Sequence, residues 1–182
     1  MPHTFTTAYI EDSLSLFHYY KKLAERAMDQ VHDADLFVAL DQESNSIALI
    51  VKHMAGNMRS RWTDFLTTDG EKPDRNRDGE FKDPPPTRAA LKLLWDQGWE
   101  YLFNALGPLT ESDLSREVTI RGERHSVMQA INRQIAHYSY HCGQIVFLAK
   151  HFGANQWSAL TIPRGKSAEF NQKVQAREAS QR

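Results

Sequence analysis

This sequence predicts an all-α protein, a four-helix bundle, on three observations. Four separate segments repeat apolar residues at three- and four-residue spacing, the period of a half-buried helix. Residues that start and stop helices stand at the ends of those segments. Strand-like alternation is confined to one short stretch, so the amphipathic helices must bury their apolar faces against one another.

The first helix is expected over about Ala8 to Val31, with Ile10, Leu14, Phe17, Ala24 and Met28 on its stripe. Ser44-Asn45-Ser46 offers N-cap side chains for the second, Ile47 to Leu66, in which Ile50, Met54, Met58 and Phe65 form the apolar face. Asp69-Gly70 closes it. The third follows Pro84-Pro85-Pro86 and Thr87, carries Leu91, Leu94, Trp95, Trp99, Leu102 and Phe103, and ends at Gly107-Pro108. The fourth opens with a capping box in Ser126 and Gln129, runs apolar from Ala130 to Phe152, and stops at Gly153.

Two connections are more than turns. Arg116 to Ile120 alternates, meets Gly122 and continues through Arg124-His125, which reads as a small β-hairpin between helices three and four. Glu71 to Pro86 is charged and rich in Asp, Gly and Pro, and loops of that length in compact domains often carry function. Beyond Gly153 no periodicity persists, so an extended C-terminal tail along the bundle is expected, mobile after about residue 174. The whole chain, residues 1–182, reads as one domain.

Composition narrows the function. The 22 basic and 23 acidic side chains nearly cancel, so nothing steers the chain toward nucleic acid or an acidic membrane. The single cysteine, Cys142, excludes an internal disulfide and fits a reducing compartment. No stretch has the apolar length of a membrane span, and the start, MPHTFTTAYIEDS, lacks signal-peptide character, so a cytoplasmic protein is expected.

Chemistry concentrates at the histidines. His137 and His141 are four residues apart inside the fourth helix, hence on one face, and they share it with Gln134, Gln144, Ile145 and Leu148. His53 lies near the apolar stripe of the second helix. Three imidazoles aimed inward are costly without partners, and bundle cores commonly house metals between facing helices. Spacing alone leaves them open between metal ligands and separately hydrogen-bonded core residues. Asn57, one turn beyond His53, and Gln134 and Gln144, one turn either side of the pair, are the candidate catalytic residues. Arg59, Arg61, Asp64, Arg75 and Arg77 cluster about the long loop, either to bind an anionic group or to anchor the loop by ion pairs. Arg164 and Lys166 in the tail are open between closing over the site and serving a dimer contact. Cys142, about 100° from His141 around the helix, is expected to pack rather than ligate. The inner stripes hold no carboxylate to serve as general base.

The runs Asn45 to Asn57 and Ser60 to Lys72, then Ala136 to Ile145 (AHYSYHCGQI), then Ile162 to Ser167 (IPRGKS), resemble the DinB/YfiT-like superfamily, and more narrowly an uncharacterised branch of it. The resemblance covers nearly the whole chain. It implies a four-helix bundle holding one divalent transition metal ion through His53, His137 and His141, with zinc or nickel foremost and iron after them. It also implies a homodimer acting on a small molecule. Characterised relatives are thiol S-transferases and isomerases that use low-molecular-weight thiols. A metal-dependent thiol S-transferase or hydrolase is therefore the expected function, with a non-catalytic, dimeric metal- or ligand-binding protein as the alternative. The missing general base favours thiol chemistry over unaided hydrolysis.

Overall fold

The computed structural model describes residues 5–179, without the side chains of residues 5–8 and 155. Its helices are α1 (Phe5–Met28), α2 (Ile47–Trp62), α3 (Arg88–Leu106), α4 (Val127–Gly153) and a short α5 (Ser167–Gln175). Strands β1 (Glu117–Ile120) and β2 (Glu123–Ser126) pair antiparallel, Val118 opposite His125 and Thr119 opposite Arg124. The all-α bundle with a small hairpin is as expected.

The caps form as the sequence dictates. Ser46 Oγ accepts from Leu49 N at 3.2 Å and Thr87 Oγ1 from Ala90 N at 3.2 Å. Ser126 and Gln129 close a reciprocal capping box, at 3.1 and 2.8 Å. Arg121 and Gly122 turn the hairpin with φ of 57° and 77°. Two successive positive φ values suit the right-handed twist of the strands, and glycine takes the second without a Cβ penalty.

Around the bundle α1 packs on α4, α4 on α2, and α2 on α3. The α2–α3 contact is tight: a Cβ at Gly98 would sit 2.9 Å from Ala55 Cα. Phe17, Trp99 and Tyr138 are fully buried at the centre, with ring centroids 5.8 to 6.3 Å apart. The Tyr138 hydroxyl donates to Asn57 Oδ1 at 2.9 Å and accepts from Trp62 Nε1 at 3.1 Å. At ~25 cal/mol per Å² over roughly 150–250 Å² each, ring burial outweighs the about 1 kcal/mol of either hydrogen bond, so those bonds orient α2 against α4 rather than hold the bundle together.

α2 is buried almost all round because the segment 63–87 covers its outer side. Lys52 Nζ donates to the carbonyls of Gly79 and Lys82, at 2.7 and 2.5 Å. Two turns on, Ser60 Oγ donates to Gly70 O and accepts from Lys72 N, both at 3.0 Å. The helix ends at Trp62, not Leu66, because Asp64 takes a φ of 46° and turns the chain away.

The extended tail needs correcting. Residues 157–166 do run as irregular chain, tied to α1 by Arg26 Nη1 donating to Leu160 O at 2.9 Å and Ser158 N to Gln30 Oε1 at 2.6 Å. Beyond them lies α5, which buries no residue. Its support is local: Glu169 pairs with Lys173 one turn on and with Lys166 behind it. Its apolar stripe is only the half-buried pair Phe170 and Val174, too short to read as a helix. The final residues of the expected mobile tail, 180–182, lie outside the described residues. No helix among the described residues is long and apolar enough to cross a membrane.

Candidate metal centre

α2 and α4 bring the three histidines together. His53 Nε2 lies 3.3 Å from His137 Nε2, and His141 Nε2 lies 3.1 Å from the same atom. All three ligand atoms fall within 4.8 Å of one another. Donors about 2.0–2.1 Å from a shared zinc at tetrahedral angles are about 3.3–3.4 Å apart, so the two separations from His137 match a single ion, and the His53–His141 pair need only close to the same distance.

The far side of two rings decides their tautomers. His53 Nδ1 lies 2.8 Å from Glu80 Oε2, and an ionised carboxylate can only accept, so Nδ1 carries the proton. His141 Nδ1 lies 2.8 Å from Gln144 Oε1, an acceptor, and so donates to it, while Gln144 Nε2 donates to the Tyr140 hydroxyl at 2.9 Å. In a neutral imidazole the other nitrogen is then a lone pair. Burial, reinforced by the neighbouring imidazoles, pushes His137 down to about 3, and burial likewise pushes His141 down to about 4, so both rings are neutral near pH 7. Lone pairs converge on one small volume. A proton there can bridge only one pair of nitrogens; a cation satisfies the whole set.

Glu80 is the residue that sequence reasoning missed. It is 6 % exposed and comes from the long loop, not from a helix stripe. Arg75 holds it bidentately, Nε to Oε1 at 2.8 Å and Nη2 to Oε2 at 2.9 Å. Burial acts to raise the Glu80 carboxyl, but the hydrogen bonds from His53 and Arg75 and the guanidinium charge outweigh it and hold it below the usual range. Phe81, next in the chain, stacks on His53 with ring centroids 4.6 Å apart. Gly56 makes room for this arrangement: a Cβ there would lie 2.5 Å from Glu80 Oε1. Only the length and charge of the loop signalled it; Glu80 is 27 positions from His53, beyond any helical period. The helix stripes carry no carboxylate at the site; Glu80 enters from the loop, and it is fully engaged and no free base.

The other candidates separate cleanly. Gln144 orients His141, and the Asn57 carbonyl oxygen is taken by Tyr138. Asn57 and Gln134 also line a cavity of about 460 Å³ beside His53 and His137, together with Arg61, Arg75 and Arg77. Arg59 instead pairs with Asp74 at 2.5 Å, and Asp64 lines a different groove. Arg164 and Lys166 are not in the cavity wall, and Lys166 is engaged with Glu169. Cys142 is fully buried, and burial raises its thiol to about 12, so it packs, as expected. A second cavity of about 380 Å³, lined by Leu36, Val51, Leu91 and Trp95 among others, includes none of the three histidines.

The fold and the cluster define a helical-bundle protein whose three-histidine site borders a ligand-sized cavity. The chain belongs to the DUF1572 family, described as protein of unknown function, whose model matches residues 4–166. The matched stretch contains every residue of the site and stops before α5. Comparison with curated proteins finds no match.

Proposed function

We propose that this chain is a metal-dependent enzyme of the DinB/YfiT-like kind, with His53, His137 and His141 as ligands of one divalent transition metal ion and a low-molecular-weight thiol as co-substrate. The convergence of the three Nε2 atoms, with Glu80 and Gln144 holding the proton on the far nitrogen of two rings, carries this reading. The donor set suits zinc or nickel first and iron after them. Such an ion would act as a Lewis acid, lowering the pKa of a thiol or a water so that it can attack near neutral pH.

The adjoining cavity favours catalysis over a structural site, which encloses its metal in protein atoms. Asn57 and Gln134 offer amides to orient a substrate there. Glu80 and Arg75 keep the His53 ring in one orientation. With Glu80 committed, no free carboxylate among the described residues lines the cavity to take a proton from water, and this favours attack by a metal-bound thiolate over hydrolysis. A cytoplasmic homodimer is part of the same reading.

The test is a screen of small thiols against electrophiles with metal-loaded protein. An S-conjugate that forms with wild-type protein and not with His137→Ala supports the reading. Turnover that survives His137→Ala, or metal binding with no turnover of any pair, favours the binding-protein alternative.

A further inference from the structure

The cavity beside His137 carries an unbalanced charge. Five guanidinium groups line it: Arg61 of α2, Arg75 and Arg77 of the loop, Arg121 of the hairpin turn and Arg133 of α4. Two carboxylates form ion pairs with them. Glu80 is held by Arg75, and Glu71 Oε2 gathers Arg75 at 3.0 Å, Arg121 at 3.3 Å and Arg61 at 3.8 Å. Asp69, whose carboxylate accepts from the Arg121 and Gly122 amides and faces the Arg61 charge, is a third, so five positive charges stand against three negative ones and an excess of two remains.

The excess has a location. Arg133 makes no hydrogen bond or ion pair among the described residues, and Arg77 meets only the Phe81 ring, 6.0 Å from its centroid. Arg133 lies one turn before His137 on α4, so the two side chains share a face, and Arg61 lies two turns beyond His53 on the face of α2 that carries Asn57. Arg61 is 4 % exposed, yet its Nε and Nη1 have no hydrogen-bond partner among the described residues. Unmatched guanidinium groups crowded together repel one another, and a buried one without an acceptor is costly. An oxyanion in the cavity relieves the repulsion, because its charge offsets theirs and its oxygens accept from guanidinium groups.

We propose that this cavity is an oxyanion-binding subsite that anchors a phosphate or carboxylate group of the substrate, with Arg133 and Arg77 as its principal ligands. It rests on the reading of the histidine cluster as the reaction centre only for the word substrate; the anion site itself stands on the arginines. Its volume of about 460 Å³ admits a small molecule that reaches from Arg133 to the histidines. The sequence left the loop arginines open between anion binding and loop anchoring. Arg59 and Arg75 anchor; Arg77, in the same cavity wall as Arg133, is free to bind.

Inorganic phosphate and acetate, each titrated calorimetrically into metal-stripped full-length protein at fixed ionic strength, provide the test. Saturable binding of at least one anion is expected, weakened roughly tenfold or more by Arg133→Ala, which removes one charge-assisted contact from an exposed position, and unchanged by Arg59→Ala. Tighter phosphate binding assigns a phosphoryl group and tighter acetate binding a carboxylate. No saturable heat with either anion, or equal affinity in Arg133→Ala, overturns the proposal. Because the protein is metal-free, these outcomes are independent of metal content, measured separately on the untreated preparation.

Discussion

Gly56→Ala is expected to weaken metal binding although Gly56 touches no ligand. Glycine inside a helix usually costs about 1 kcal/mol relative to alanine, so the substitution should stabilise α2 if nothing else intervened. Here the new Cβ would stand 2.5 Å from Glu80 Oε1 and 2.8 Å from its Cδ, whereas ordinary contact begins at 3.4 Å. The carboxylate must retreat by about 1 Å, which is more than van der Waals contacts yield elastically. It cannot retreat freely, since Arg75 grips both of its oxygens and His53 donates to one at 2.8 Å. A retreat of that size stretches the His53 bond beyond useful length and releases the ring. The lost charge-assisted bond costs about 1.5–3 kcal/mol, which exceeds the helix gain. Loss of an outer-shell partner typically lowers metal affinity by about 10–100-fold. Zinc affinity read by competition with a chelator of known strength, alongside thermal melts of the metal-free protein, measures both effects. A variant that melts higher than wild type and binds zinc equally well would refute the role given to Glu80.

Other outcomes follow from the same contacts. Tyr138→Phe strips Asn57 Oδ1 and Trp62 Nε1 of a buried partner and should cost about 1–3 kcal/mol in denaturant unfolding, with no change in the bundle's helical circular dichroism. The metal-free protein should lose stability as the pH falls below about 6.5: His137 and His141 have folded values pushed down to about 3 and 4, so the unfolded chain takes up protons first, and thermal midpoints from pH 7 to pH 4 should decline less steeply in a His137→Phe variant. Cys142, fully buried with its thiol raised to about 12, should resist alkylation at pH 8 in the native protein and react promptly once it is unfolded.

Much of this architecture was legible because local chemistry and tertiary packing agree. Ser46, Thr87 and the Ser126/Gln129 box mark helix starts by hydrogen bonds confined to a few residues, and Arg121-Gly122 marks a turn by its own backbone preference. The i, i+4 histidines show through helical geometry alone. Their meeting with His53 required the inter-helix arrangement, which periodicity implies but does not dictate. Three features stayed out of reach for physical reasons. Asp64 ends α2 early by a positive φ that residue type does not announce. α5 is sustained by Glu169 with its lysines and fully buries no residue, so its hydrophobic pattern is one i, i+4 pair, Phe170 and Val174, too short to read. Glu80 reaches the site because Lys52, Ser60 and Arg75 fold the loop onto α2, a long-range arrangement of polar contacts with no period.

The central claim is that three imidazoles bind one ion. X-ray absorption at the metal edge of zinc-loaded protein tests it most directly. The account predicts one zinc per chain with three imidazole nitrogens at about 2.0–2.1 Å and room for a further ligand. A shell of oxygen donors without imidazole scattering, or a spectrum unchanged in His53→Ala, would contradict it.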